Sequence, residues 1–292
     1  MTKTLGEFFK EAKSGKWAIG HFNFSTADQL RAIVEAAAEL KMPVMAATSE
    51  GEADFVGCEQ AVALVHSYQK EGYDVFLNAD HHKSWETAKK AIDAGYDSVL
   101  IDASKLPFEE NVALTKRVVD YAREVAKSSG REIPVEGELG YLRGSSEIQK
   151  KIEISKEDYT KPQEAKDFVA RTGVDRLAIV FGNIHGIVTE QEEHLDIETL
   201  KNVAKAVPET ILVLHGASGL KDEEIKEAIA NGITNIHINT ELRVAYHEAL
   251  EGELEKEPGQ TTPYKFLAPS YEATKEIVLE KLKLFRNPQE TH

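Results

Sequence analysis

The sequence predicts a (β/α)8 barrel, and three observations carry that reading. Eight short β-like apolar runs each precede a longer helical pattern. The two alternate strictly, which calls for a parallel sheet with helical crossovers. Runs such as 176–181 and 210–214 are nearly unbroken in their apolar character, as strands buried on both faces require. Eight such units are the number that closes a barrel. A doubly wound open sheet is the competing arrangement, but no Gly-x-Gly-x-x-Gly follows the first strand. No linker with a shift in composition divides the chain, so residues 1–292 read as a single barrel domain.

Each element has its own justification. A strand at 17–22 leads to a helix at 26–40, where Leu30, Ile33, Val34, Ala37 and Leu40 share one face behind a Thr26 start signal. Strands at 43–48 and 74–79 are followed by helices at 58–71 and 84–94, the latter opened by Ser84 and closed by Gly95. Strands at 97–102 and 132–138 lead to helices at 109–128 and 162–172. The last three pairs are 176–181 with 196–206, 210–214 with 221–231, and 233–239 with 240–253, Gly232 marking the final αβ turn. Two insertions break the pattern. Residues 139–161 form a long polar connection after the fifth strand, the kind of loop that carries function or moves. Residues 254–292 hold a Pro-containing linker and an extra helix near 270–284.

Composition excludes several functions. With 41% hydrophobic residues the chain can build a sizeable core, unlike a disordered segment. A net charge of −15 repels nucleic acid and anionic membrane surfaces, so neither is an expected partner. An anionic ligand must then be held by local geometry. The single cysteine, Cys58, allows neither an internal disulfide nor a cysteine zinc cluster. The first residues lack an apolar signal-peptide core and no run approaches the ~18 apolar residues of a membrane span. A soluble, cytoplasmic protein is the expectation.

In a barrel, chemistry collects where strands end. The polar residues predicted there are Asn23; Ser49 and Glu50; Asp80, His81 and His82; Asp102 and Ser104; Glu136 and Glu138; Asn183 and His185; His215 and Ser218; and Asn239, Thr240 and Glu241. His81, His185 and His215 at one end of three strands make a plausible metal set, since three neutral imidazoles and an open position describe a catalytic zinc site. Their separations in the chain are too long for a spacing motif, and a lone histidine is more often a satisfied core or loop residue. His21, His66, His194, His247 and His292 have no such company and read as structural or surface residues. Glycine turns at 182–186 and 215–219, with the helix start at Asn239-Thr240, offer free N–H groups that can bind phosphate. Each could equally be an ordinary turn or cap. Asp80, beside His81, could move protons at a substrate hydroxyl or simply orient the histidine. Glu138 could be a further metal ligand or a buried ion at a strand end.

Taken together these segments resemble the class II, zinc-dependent fructose-bisphosphate and ketose-bisphosphate aldolases. The resemblance runs from Phe22-Asn23-Phe24 to about Phe285. Its specific pieces are Ser49-Glu50-Gly51, Ala79-Asp80-His81-His82, Ser98-Val99-Leu100-Ile101-Asp102-Ala103-Ser104 and Leu106-Pro107-Phe108-Glu109-Glu110-Asn111. Val135-Glu136-Gly137-Glu138-Leu139-Gly140, Gly182-Asn183-Ile184-His185-Gly186 and Leu214-His215-Gly216-Ala217-Ser218-Gly219 continue it in order. The resemblance implies His81, His185 and His215 as Zn2+ ligands with Glu138 an acid near the metal, and leaves room for a second divalent or a monovalent cation. It implies Asp80 as the carboxylate that exchanges the C4 hydroxyl proton. Gly186, Gly216, Ser218, Asn239 and Thr240 match the cradle for the dihydroxyacetone phosphate group, and Asn23 and Ser49 join the substrate-facing set. A phosphorylated sugar is the implied substrate, and a homodimer or homotetramer the implied assembly.

Four departures from the family pattern concern the aldehyde side. The loop after the fifth strand reads Arg143-Gly144-Ser145-Ser146-Glu147, with serines where the proton-shuttling acids fall, so Glu147 is the candidate shuttle. The usual Lys-x-Asn reads Asn235-Ile236-His237, which puts His237 at a substrate-contacting position. The usual Asp-Pro-Arg that grips the second phosphate reads Thr262-Pro263-Tyr264, and Arg143 is the candidate replacement. The Gly/Ser-rich ending is missing after Leu284-Phe285. The leading expectation is cleavage of fructose 1,6-bisphosphate to dihydroxyacetone phosphate and glyceraldehyde 3-phosphate. The alternatives are an aldolase for tagatose 1,6-bisphosphate or another ketose 1-phosphate, and a non-catalytic aldolase-like subunit.

Overall fold

Side chains alternate across a pleated strand, so each residue of a closed barrel faces either its interior or the surrounding helices. The computed structural model describes residues 3–286, the side chain of Ser146 apart, so His292 lies outside the described residues. The barrel strands are β1 (Ile19–Asn23), β2 (Val44–Ser49), β3 (Val75–His82), β4 (Ser98–Ile101), β5 (Val135–Leu139), β7 (Arg176–Ile179), β9 (Ile211–Leu214) and β10 (Ile233–Ile238). They close in the order β1-β10-β9-β7-β5-β4-β3-β2, every pair parallel, as the alternating pattern predicts. β6 (Gly144–Gln149) and β8 (His185–Val188) stand apart as a two-stranded parallel sheet.

The outer face of the barrel meets α2 (Ala27–Leu40), α4 (Cys58–Lys70), α5 (Trp85–Ala94), α6 (Phe108–Ser129), α7 (Pro162–Thr172), α8 (Ile197–Ala206), α9 (Asp222–Ala230) and α10 (Thr240–Lys256). One apolar cluster joins Val44, Leu77, Val99, Leu177, Leu212 and Ile236 from the strands to helical residues such as Leu30, Ile33 and Leu200. Inward-facing Ile19, Met45 and Ile211 belong to a second, smaller cluster at the bottom of the barrel. That floor is sealed by α1 (Leu5–Gly15), a helix not among the elements expected from the sequence. Leu5, Phe8, Phe9 and Ala12 nevertheless recur at helical spacing, behind a reciprocal Thr4–Glu7 cap.

Other differences from expectation have local causes. Ser49 and Glu52 form a second reciprocal cap and start α3 (Glu50–Val56), an extra helix before α4. The polar connection at 139–161 contains β6 and a 3-10 turn at Lys156–Asp158. The strand expected at 74–79 runs on to His82, with a register break between Ala79 and His82 and His81 at φ 46°. The terminal helix is α12 (Ala268–Phe285), preceded by the short α11 (Pro263–Phe266). α12 packs between α2 and α10, burying Val278, Leu282 and Phe285, and the Phe285 carbonyl accepts a hydrogen bond from Ala18 N at 3.0 Å. Among the described residues no helix is long and apolar enough to cross a membrane.

Since Phe285 is wholly buried against this seam, Phe285→Ala should cost about 3–5 kcal/mol. Chemical denaturation of the two proteins measures it.

Candidate metal centre and active site

Strand ends bring the three histidines together. His81 is the penultimate residue of β3, His185 begins β8 just past β7, and His215 follows β9. Their ring nitrogens lie within 4.8 Å of one another, and His81 Nε2 faces His215 Nδ1 at 3.0 Å. Tetrahedral zinc with ~2.0–2.1 Å Zn–N bonds sets its ligands roughly 3.3 Å apart, so this donor set fits such an ion. The positive φ of His81 turns its imidazole across the barrel mouth, a strain of the kind that gathers at functional sites.

The surrounding charge suits a cation. Asp102 Oδ2 lies 3.0 Å and Glu138 Oε2 3.6 Å from His81 Nδ1. Burial works against a charge on His81, but the carboxylates of Asp80, Asp102 and Glu138 outweigh it and push the ring's pKa up to about 10. His185 is driven the other way, to about 3, by burial and by the neighbouring His81 and His215, so its imidazole is neutral and free to bind metal. Burial, with Asp102 beside it, pushes Glu138 up to about 7, and its Oε2 has no hydrogen-bond partner. Glu138 gathers with His81 and Asp102 on the far side of the His81 ring, apart from the cluster of three histidines.

Asp80 sits inside this ring, 5% exposed. Its Oδ2 accepts from Asn23 Nδ2 at 3.0 Å, while Oδ1 is without a hydrogen bond. Burial alone would raise its pKa, but His81, His21 and His215 with the Asn23 amide hold it well below the usual carboxylate range. Asn23 in turn donates to Glu52 Oε2 at 2.8 Å, and Glu52 also accepts from Ser49 N at 2.7 Å. His237 Nδ1 lies 3.4 Å from the bare Asp80 Oδ1. Its ring stacks on His215, with centroids 4.0 Å apart, and on His21, at 3.4 Å.

A small cavity at this end is lined by Asn23, Asp80, the three histidines, His237, Gly186, Gly216, Ser218, Asn239 and Thr240. Two glycines make its wall. Gly186 has φ 90°, and a Cβ there would meet Ser145 O and Glu147 O at 2.3 Å, so glycine lets β6 close on β8. Gly216 has φ 63°, and a Cβ would lie 1.9 Å from Ile184 O. Asn239 precedes the first turn of α10, its Oδ1 buried and unpartnered, so a helix N-terminus and glycine N–H groups open onto the cavity.

Against this geometry the known proteins fall into line. The family model for fructose-bisphosphate aldolase class-II matches residues 3–290. This chain belongs to the class II fructose-bisphosphate aldolase family. It is 36% identical over 290 residues to a fructose-bisphosphate aldolase of Geobacillus stearothermophilus, covering 97% of this chain and 96% of that protein. The solved YdjI aldolase of Escherichia coli K12 is similar to it at 34% identity and TM-score 0.79, with both chains fully covered. A structure from Coccidioides immitis, 24% identical, shares the fold at TM-score 0.84 over 97% of this chain and 96% of its own. Aldolase chemistry in this family is generally metal-dependent, and the histidine cluster fits that requirement.

Of the residues expected to hold metal or substrate or to move a proton, four lie elsewhere than the cavity wall. Glu138 lies behind His81. Ser49 caps α3. Glu147 is exposed on β6, its nearest side-chain partner Ser145 Oγ at 3.5 Å. Arg143 is engaged by Asp158 through two hydrogen bonds of 2.7 and 2.9 Å. His21, expected to stand alone, is buried in the stack with His237. The sequence gives no role to the supporting residues Glu136, Glu52 and Arg176, although Glu136 is among the expected strand-end residues and signals existed for all three. Glu136 lies two residues before Glu138 and so on the same pleat face, Glu52 is the third residue after a Ser cap, and Arg176 interrupts an apolar strand.

Gly216→Ala should destabilise the protein by about 1–3 kcal/mol through backbone strain at positive φ. It should also displace the 182–186 turn, which a crystal structure of the variant together with a denaturant melt would register.

Proposed function

We propose that this family member is a zinc-dependent aldolase that reversibly cleaves fructose 1,6-bisphosphate to dihydroxyacetone phosphate and glyceraldehyde 3-phosphate. The observation that carries the reading is the convergence of His81, His185 and His215 beside a buried, ionised Asp80 with one bare oxygen. A zinc ion held by the three imidazoles would polarise the C2 carbonyl and stabilise the charge left when the C3–C4 bond breaks. Asp80 Oδ1 takes the C4 hydroxyl proton during cleavage and returns it during condensation, and Asn23 holds the carboxylate in place through Oδ2. The N–H groups of Gly186, Gly216 and Ser218 and the α10 N-terminus at Asn239 and Thr240 bind the ketose 1-phosphate without a net positive charge. His237, facing Asp80 Oδ1, borders the carbon chain of the substrate. Glu147 stays the candidate for the shuttle at C3, since its backbone abuts Gly186 and its side chain is exposed.

A second reading has its own support. No lysine or arginine lines the cavity, Arg143 is paired with Asp158, and Tyr264 is 76% exposed. These features favour an aldehyde partner without a phosphate, or a tagatose-type bisphosphate.

Chelator-treated protein should lose aldolase activity and regain it with zinc. Asp80→Ala should lower kcat/KM by about 10²–10⁴-fold while still binding the metal. Full turnover by metal-stripped protein would defeat the proposal. Comparing kcat/KM for fructose 1,6-bisphosphate with that for a ketose 1-monophosphate decides between the two substrate readings, and a strong bisphosphate preference removes the second.

A further inference from the structure

The largest side chain sealed inside the protein is that of Arg176, with no exposed surface at all. It enters from the start of β7 and lies above Phe9 of α1, its guanidinium carbon 5.5 Å from the ring centroid. A guanidinium cannot shed its charge inside a protein, so its burial demands acceptors close by. Its two terminal nitrogens find them on the surrounding strands, while Nε is buried without a hydrogen-bond partner. Nη1 donates to Asn235 Oδ1 at 2.8 Å, and Nη2 donates to Asn78 Oδ1 at 2.9 Å and Ser98 Oγ at 3.1 Å. The counter-charge is Glu136, also wholly buried, whose Oε2 lies 2.6 Å from Nη1.

The other oxygen of that carboxylate points upward, and Glu136 Oε1 is 2.7 Å from His215 Nε2. A carboxylate can only accept there, so His215 carries its proton on Nε2, and its lone pair is on Nδ1. Nδ1 is the atom that faces His81 Nε2 at 3.0 Å, on the metal side. The chain from Arg176 to Glu136 to His215 therefore fixes both the tautomer and the tilt of one histidine of the cluster.

We propose that Arg176 is a positioning residue for the metal centre: it holds the Glu136 carboxylate so that His215 presents Nδ1 to the ion. The inference rests on the proposed metal site. Carboxylate partners of metal-binding histidines generally alter affinity by 10–100-fold when lost. Here the carboxylate is itself kept in place by a fixed cation with a planar fork, which lysine would not reproduce. Asn235, which shares Nη1 with Glu136, also faces His237 Nε2 at 3.3 Å. Arg176 thus supports two of the rings that border the cavity.

The test measures zinc affinity by chelator competition on metal-free protein, for wild type, Arg176→Met, Arg176→Lys, Glu136→Gln and the Arg176→Met/Glu136→Gln pair, with circular dichroism as the check on folding. Arg176→Met should bind zinc about 10–100-fold more weakly, Arg176→Lys should recover part of that loss, and the double variant should bind no worse than the weaker single one. Unchanged affinity in Arg176→Met, or losses that simply add in the double variant, would overturn the proposal. Should Arg176→Met fail to fold, the double variant leaves no unpaired buried charge, and wild-type affinity in it would count against the proposal. Histidine-selective 15N NMR on the wild type decides independently of any Arg176 variant. His215, assigned by its loss in His215→Gln, should be the Nε2–H tautomer without metal, and an Nδ1–H tautomer would rule the scheme out. A wild type that binds no zinc would remove the proposed function itself, whereas a zinc-binding wild type with an indifferent Arg176→Met removes this inference alone.

Discussion

Burying Arg176 and Glu136 together is the constraint on which the upper half of the barrel depends. Either charge alone inside the protein would be costly to hold, and a pair is tolerable only with further hydrogen bonds around it. Asn78, Ser98 and Asn235, from three different strands, accept from the two terminal nitrogens of the guanidinium, and Nε alone is left without a partner. Glu136 shares its two oxygens between the cation below and His215 above. The barrel interior is therefore layered. Apolar residues and α1 close the bottom, an ion pair with its amides fills the middle, and imidazoles and carboxylates crowd the top.

That layering accounts for the electrostatics of the rim. Asp80, Asp102 and Glu138 converge on His81, and the three histidines converge on one another. The carboxylates push His81 up, while burial and the neighbouring imidazoles push His185 down. A region that favours positive charge on one imidazole and a bare lone pair on the next is prepared for a divalent cation. Beside it, the glycine turns and the α10 N-terminus open onto the same cavity without a basic side chain among its described lining residues.

The cluster of three histidines lies beside Asp80 and the glycine turns, in a chain that belongs to a family of generally metal-dependent aldolases. Beside them His237 is stacked between His21 and His215, and among the described residues no lysine or arginine lines the cavity.

The eight barrel strands, the helices between them and their parallel closure were written in the sequence, because periodicity and strict alternation are local properties that a parallel sheet must obey. His81, His185, His215 and Asp80 were legible too, since they follow the apolar runs and so had to fall at one end of the barrel. Which of their neighbours matter was not legible. Glu136 and Arg176 lie 40 residues apart in the chain, and nothing in local pattern says that the charge at the foot of one strand will fall opposite a carboxylate near the foot of the next. Inward alternation and the stagger of the strands set that meeting, and only the closed barrel fixes them. The pairing of Arg143 with Asp158, the strand made from the polar connection and the stacking of His21 on His237 have the same origin. Each is a contact between segments whose sequences carry no sign of one another.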